Sequence, residues 1–183
     1  LSLTNDTGAA ITVASGAQIG LVDGTYGGYL SLTSADGSEI KTGIVSSTGT
    51  TADLQAIGFN ASSGSDDVKG GSVLTTAVVA NDGIKINGVE LGAVTGTSAA
   101  DKAFAINALR DQTGVEASAK TEVKLSLAVS NVAAAADMTI NGTQIDLTTA
   151  TTLDSAISLI NQAGLAGIVA SADMTTGQLV LTS

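Results

Sequence analysis

Ile84–Gly114 reads IKINGVELGAVTGTSAADKAFAINALRDQTG, and this stretch decides the fold. Asn87-Gly88 is a strong hairpin signal, because a type I′ turn needs φ > 0 at both central residues. A two-residue turn there sets Ile86 against Val89, Lys85 against Glu90 and Ile84 against Leu91. The apolar pairs then share one face and the charged pair takes the other, which is the pattern of a half-buried sheet. Ser98 with Asp101 three residues on marks a helix start. Ala99, Ala103, Ile106 and Leu109 form a buried stripe, and Gly114 ends the helix. Val115–Ala119 and Glu122–Val129 read as two further strands.

The same order returns from Met138: MTINGTQIDLTTATTLDSAISLINQAG. Ile140 lies 54 positions after Ile86, and Asn161 lies 54 after Asn107. In this copy Ile140 faces Thr143 and Met138 faces Ile145. Thr151 caps the helix with Asp154, a slip of one residue, and Leu153, Ala156, Ile157 and Ile160 make its apolar face. Ile168–Ala172 and Gln178–Ser183 close a hairpin around Thr176-Gly177. The pattern GxLxLTS occurs at Gly28–Ser34 and again at Gly177–Ser183. The unit expected is strand, strand, helix, strand, strand, spanning about 84–129 and 137–183.

Upstream of the repeat, Ala10–Gly16, Gln18–Val22 and Tyr29–Thr33 alternate as short strands. Asp23-Gly24, Gly27-Gly28 and Asp36-Gly37 stand between them as turns. Thr50 and Asp53 cap a two-turn helix ending at Gly58. Ala61–Gly71 is small, polar and Gly-rich, and reads as a loop or junction. The fold class expected is α+β: antiparallel β hairpins with one short helix per repeated unit. The domains expected are a β-rich part at 1–78 and the two repeats at 79–183.

Composition narrows the function. The 183 residues are 44% hydrophobic but hold only two Tyr, two Phe and no Trp, so small aliphatic side chains must fill the core. Cys, His and Pro are absent. That removes disulfides, thiolate chemistry, the usual zinc and copper ligands and the commonest general base. The net charge is −10, with no Lys or Arg from Leu125 onward. Such a chain is a poor match for phosphate backbones or anionic membrane surfaces. No apolar run approaches the roughly 18 residues of a membrane span. The chain opens without a basic-then-apolar leader and closes within a repeat, so it is expected to be a piece of something longer.

Three chemical readings compete with a structural one. Asp6, Asp23, Asp36, Asp66, Asp67 and Asp82 sit in turn-like segments where calcium could bind. None follows the alternating EF-hand pattern with its closing Glu, and turn chemistry accounts for Asp-Gly. A carboxylate-pair glycosidase would want aromatic platforms. The acids here fall instead at caps (Asp53, Asp101, Asp154), turns or solvent faces (Glu90, Glu122). Tyr26 and Tyr29 flank Gly27-Gly28 and could stack on a sugar in a carbohydrate-binding or adhesin module. The expectation is no catalytic, cofactor-binding or metal residue. Asn5, Asn60 and Asn141 begin N-glycosylation triplets, which arise readily by chance in a Ser/Thr-rich chain.

Taken together, Ile86-Asn87-Gly88, Ala105-Ile106-Asn107 and Thr113-Gly114-Val115 resemble the IN motif of bacterial flagellins. Ile140-Asn141-Gly142, Ile160-Asn161 and Gly167–Ala172 resemble a second copy, and Gly28–Ile40 resembles the tail of the same unit. The resemblance implies the central, variable, outer region of a flagellin, standing on the surface of an extracellular filament. The polymerising helices of that family have no counterpart here, so the fragment is expected to be monomeric. Implied partners are neighbouring flagellin subunits through the full-length chain, antibodies, and O-linked glycans, for which Ser62, Ser63 and Ser65 are candidates. The outer domains of the filament-cap (hook-associated) protein are the nearest alternative, because they contain similar units.

Overall fold

A computed structural model describes residues 2–5, 8–14, 23–45, 47–124, 137–173, 175–176 and 178–181. Its first strands are β1 (Ser2–Asn5), β2 (Ile11–Ala14), β3 (Gly24–Tyr26), β4 (Tyr29–Ser34) and β5 (Ile40–Ile44). Helix α1 (Thr51–Ala56), β6 (Ser62–Ser65), β7 (Asp67–Ser72), β8 (Ile84–Ile86) and β9 (Val89–Glu90) follow. Then come α2 (Ala99–Asn107), α3 (Arg110–Thr113) and β10 (Val115–Lys124). The last elements are β11 (Asp137–Ile140), β12 (Thr143–Asp146), α4 (Leu153–Gln162), β13 (Ala170–Asp173) and β14 (Gln178–Leu181). The class is α+β, with antiparallel strands and a few short helices. Contacts group the chain into two units, Gly27–Lys120 and Leu1–Tyr26 with Thr121–Ser183.

In the unit Gly27–Lys120, β4 lies between β7 and Val115–Lys120 of β10, antiparallel to both. A second sheet runs β6-β5-β8-β9. The β8–β9 hairpin has the expected register, Ile86 opposite Val89 and Lys85 opposite Glu90. Asn87 (φ 48°) and Gly88 (φ 83°) both take the positive φ that a type I′ turn demands. Ile84, Ile86 and Leu91 are buried with Leu30, Leu32, Leu54, Phe59 and Ile106 in one apolar core. Helix α2 buries Ala99, Ala103 and Ile106 against that core.

In the unit Leu1–Tyr26 with Thr121–Ser183, β1 lies antiparallel to Thr121–Lys124 of β10 and parallel to β14. Strands β13 and β14 form the closing hairpin. The other sheet runs β12-β11-β2-β3. The β11–β12 register pairs Ile140 with Thr143 and Met138 with Ile145, as the second Asn-Gly turn requires. Ile11, Val13, Met138, Ile140, Ile145, Leu147, Ile160 and Leu179 form the core, on which α4 lays Ala156 and Ile160.

Several details depart from expectation, each for a physical reason. Ala61–Gly71 is not a loop: it holds β6 and most of β7. A Cβ on Gly70 would stand 2.9 Å from the Phe59 ring and 3.1 Å from the Leu30 carbonyl. That glycine permits close packing of a strand rather than a turn. Gly27-Gly28 is likewise no positive-φ turn. A Cβ on Gly27 would fall 2.2 Å from the Val73 carbonyl oxygen, so it too serves close approach. Gly24 opens β3, while Gly37 (φ 77°) does adopt the turn conformation.

The region expected as two strands after Gly114 is one strand, β10, to Lys124, and Leu125–Val129 lies outside the described residues. The strand expected at Gln18–Val22 lies outside them too. The first repeat's helix is broken at Ala108-Leu109 into α2 and α3. The cap of α4 is Thr152 with Ser155, not Thr151 with Asp154. Thr152 follows Ser98 by 54 positions, so the caps keep the repeat spacing without a slip.

Candidate functional site

The side chains that most tempt a chemical reading are the asparagines of the two hairpins and helices, and each is engaged by backbone. Asn87 donates its backbone N–H to the Lys41 carbonyl (2.8 Å), and its Oδ1 accepts the Lys41 N–H (2.7 Å). Asn141 does the same with Thr12, at 3.1 Å and 2.9 Å. Each asparagine thus extends the ladder of the neighbouring strand past the point where its own strand turns back. Asn tolerates the left-handed conformation this requires better than other non-glycine residues. Asn87 has one further bond, from Nδ2 to the Thr113 carbonyl (2.8 Å).

The helical asparagines make a second pair of clamps. Asn107, the last residue of α2, donates Nδ2 to the Ala117 carbonyl (2.9 Å) and accepts the Ala117 N–H at Oδ1 (2.7 Å). Asn161 in α4 makes the same two bonds to Ala170, at 2.9 Å and 2.6 Å. A carboxamide carries one donor and one acceptor side by side, so it matches a strand residue's N–H and C=O. Neither an aspartate nor an aliphatic side chain offers both.

Lys102 is a residue that sequence reasoning missed. It is fully enclosed, and its Nζ donates to the carbonyls of Leu74 (2.6 Å) and Ala56 (3.1 Å). Ala56 is the last residue of α1; its carbonyl also accepts the Leu74 N–H (3.1 Å) and lies at the helix end that favours a cation. Desolvation pushes the Lys102 pKa down to about 8, opposed by the neighbouring Asp101 carboxylate. The signal was present in the sequence: 99, 102, 103 and 106 follow the i, i+3, i+4, i+7 rule of one helix face.

The acids are occupied as caps and turns. Ser98 Oγ accepts the Asp101 N–H (3.1 Å), and Asp101 accepts back from the Ser98 backbone (3.1 Å) and hydroxyl, a full capping box. Asp53 accepts from the Thr50 hydroxyl and N–H, both at 2.7 Å, and these bonds hold its carboxyl below the usual range. Hydrogen bonds from Ser38 and Ser34 do the same for Asp36, and those from Thr148 do so for Asp146. Asp154 sits in the first turn of α4 without serving as its cap partner. Among the described residues no three His, Cys, Asp or Glu side chains are grouped to hold a metal ion.

Of the two tyrosines, Tyr26 packs against the core of its own unit, and Tyr29 is 40% exposed. Asn60 Oδ1 accepts from Gln55 Nε2 at 3.2 Å, and Ser65 Oγ donates to the Asp67 carbonyl. A recess of about 370 Å³ lies beside the 78% exposed Phe104, lined by Ala93, Val94, Thr95, Asp101 and Ala105. Its one charged group is the capping Asp101. No helix among the described residues is long and apolar enough to cross a membrane.

This geometry can tie hairpin to strand and helix to strand, and does so with asparagines 54 positions apart, Asn87 with Asn141 and Asn107 with Asn161. Residues 59–131 match the family model described as the flagellin hook IN motif. No curated protein and no solved structure matches the chain. The matched segment contains Asn87, Asn107, Lys102 and the capping box of α2. It supports a flagellin-type structural role.

Proposed function

We propose that this chain, which carries a flagellin IN motif over residues 59–131, forms outer, surface-exposed domains of the bacterial flagellar filament subunit. In this reading the two copies, about 84–129 and 137–183, are repeated ββαββ units whose role is mechanical. They present a hydrated, acidic surface on a swimming organelle, in contact with neighbouring subunits through the rest of the parent chain. Antibodies and O-linked glycans meet the filament at this surface. The isolated chain is monomeric, has no catalytic function and needs no cofactor. The observation that carries the reading is the asparagine clamp, found in the matched segment at Asn87 and Asn107 and again at Asn141 and Asn161.

The matching motif is named for the hook, which favours one alternative: the outer domains of a hook-associated cap protein. Antibodies raised against the isolated chain and imaged on intact flagella separate the two. Labelling along the whole filament is the expected result. Labelling at the tip alone supports the cap reading, and unlabelled flagella on cells that express the parent chain exclude both.

A further inference from the structure

The two Asn-Gly turns form an internal comparison. Asn-Gly is the dipeptide most open to deamidation, since glycine puts no side chain in the way of its own nitrogen, and Asn is among the thermolabile residues. The backbones of the two sites agree: Asn87 and Asn141 both have φ 48°, and the following glycines have φ 83° and 80°. Both side chains accept a strand N–H at Oδ1. They differ at Nδ2. That of Asn87 donates to the Thr113 carbonyl, and the residue is half-buried. Asn141 is exposed, and among the described residues its Nδ2 has no such acceptor.

We infer that Asn141 is a site of spontaneous, water-consuming deamidation in the folded protein, and that the amide of Asn87 is held against the same reaction. The backbone nitrogen of Gly142 attacks Asn141 Cγ, the carboxamide nitrogen leaves as ammonia, and a succinimide forms. Water then opens the ring to aspartate or isoaspartate, so one amide and one water yield one acid and one ammonia. The carboxamide must turn to bring Cγ onto the glycine nitrogen. At Asn141 that breaks the bond to Thr12, whereas at Asn87 it breaks the bonds to Lys41 and Thr113. One extra hydrogen bond to break slows Asn87 by roughly five- to tenfold. Isoaspartate at 141 lengthens the turn by one backbone methylene and removes the acceptor for the Thr12 N–H. The pairing of β11 with β2 loosens there.

The test is to incubate the full chain at mildly alkaline pH and 37 °C, then map peptides by mass spectrometry, with a parallel sample in urea. Accumulation of the acid at 141 several-fold faster than at 87 in the native sample, with similar rates in urea, is expected. Aged protein should also show faster hydrogen exchange at Thr12. Equal native rates at the two sites overturn the inference. So does a native sample that stays intact at both sites while the urea sample reacts.

Discussion

Asn107 and Ala117 exchange two hydrogen bonds, Nδ2 to carbonyl at 2.9 Å and N–H to Oδ1 at 2.7 Å, across ten residues of sequence. Asn161 and Ala170 exchange the same two across nine. Each clamp fixes the end of a helix on the strand that follows it. Asn107→Ala removes both bonds and leaves the N–H and C=O of Ala117 to find other partners. The expected loss is about 1–3 kcal/mol, and Asn161→Ala should lose a similar amount. Urea unfolding of the two variants checks this. Losses indistinguishable from zero would show that water replaces the clamp without penalty.

Asn87 combines a left-handed backbone with side-chain bonds, and two substitutions separate them. Asn87→Gly keeps the turn and removes the bonds to Lys41 and Thr113. Asn87→Ala removes the bonds and also places a side chain unsuited to φ 48°. Alanine should therefore be less stable than glycine by about 1 kcal/mol. Equal stabilities measured by thermal or urea unfolding would mean that the turn relaxes.

Lys102 predicts a pH dependence. Its pKa in the fold, about 8, lies below the ordinary 10.5. Below the folded value both states carry the charge, and the full desolvation penalty is present. Between the two values the folded chain has released the proton and the unfolded chain still binds it, so stability rises with pH through that window. The rise amounts to about 3 kcal/mol over the window. Lys102→Met lacks it. Unfolding free energies of both proteins between pH 7 and 10.5 provide the comparison, and a constant difference between them would contradict the account.

Asp53 works in the opposite sense. Hydrogen bonds from Thr50, side chain first and backbone second, lower its pKa from 3.8. Its contribution is present above the ordinary carboxylate pKa and is lost as pH falls through the lower, folded value. Asp53→Asn should flatten that part of the acid-unfolding curve. An unchanged curve would mean that the carboxylate adds nothing to the cap of α1.

Much of the local structure was legible because particular residues demand it. Asn-Gly at 87–88 and 141–142 set two hairpin registers, since only residues tolerant of positive φ fit there. Ser98 and Asp101 marked the start of α2 by capping chemistry. The α4 cap was misplaced by one because Thr151 and Thr152 are chemically alike and an acid was favoured at N3, whereas Ser155 takes that role. Glycine was the main source of error. Gly27 reads as a turn and Gly70 as part of a loop, but both serve close backbone approach, which depends on Val73, Phe59 and Leu30 arriving from elsewhere in the chain. Lys102 was missed because charge argued against burial. The two carbonyls that receive it, at 56 and 74, are set by tertiary structure, and the sequence carries no sign of them.

The central claim is that these residues build a surface module of a filament and take no part in its polymerising core. Deleting this chain from the parent protein and imaging flagella by electron microscopy tests it most directly. Continuous filaments of smaller diameter are predicted. Failure to form filaments, with the shortened subunit exported and folded, would contradict it.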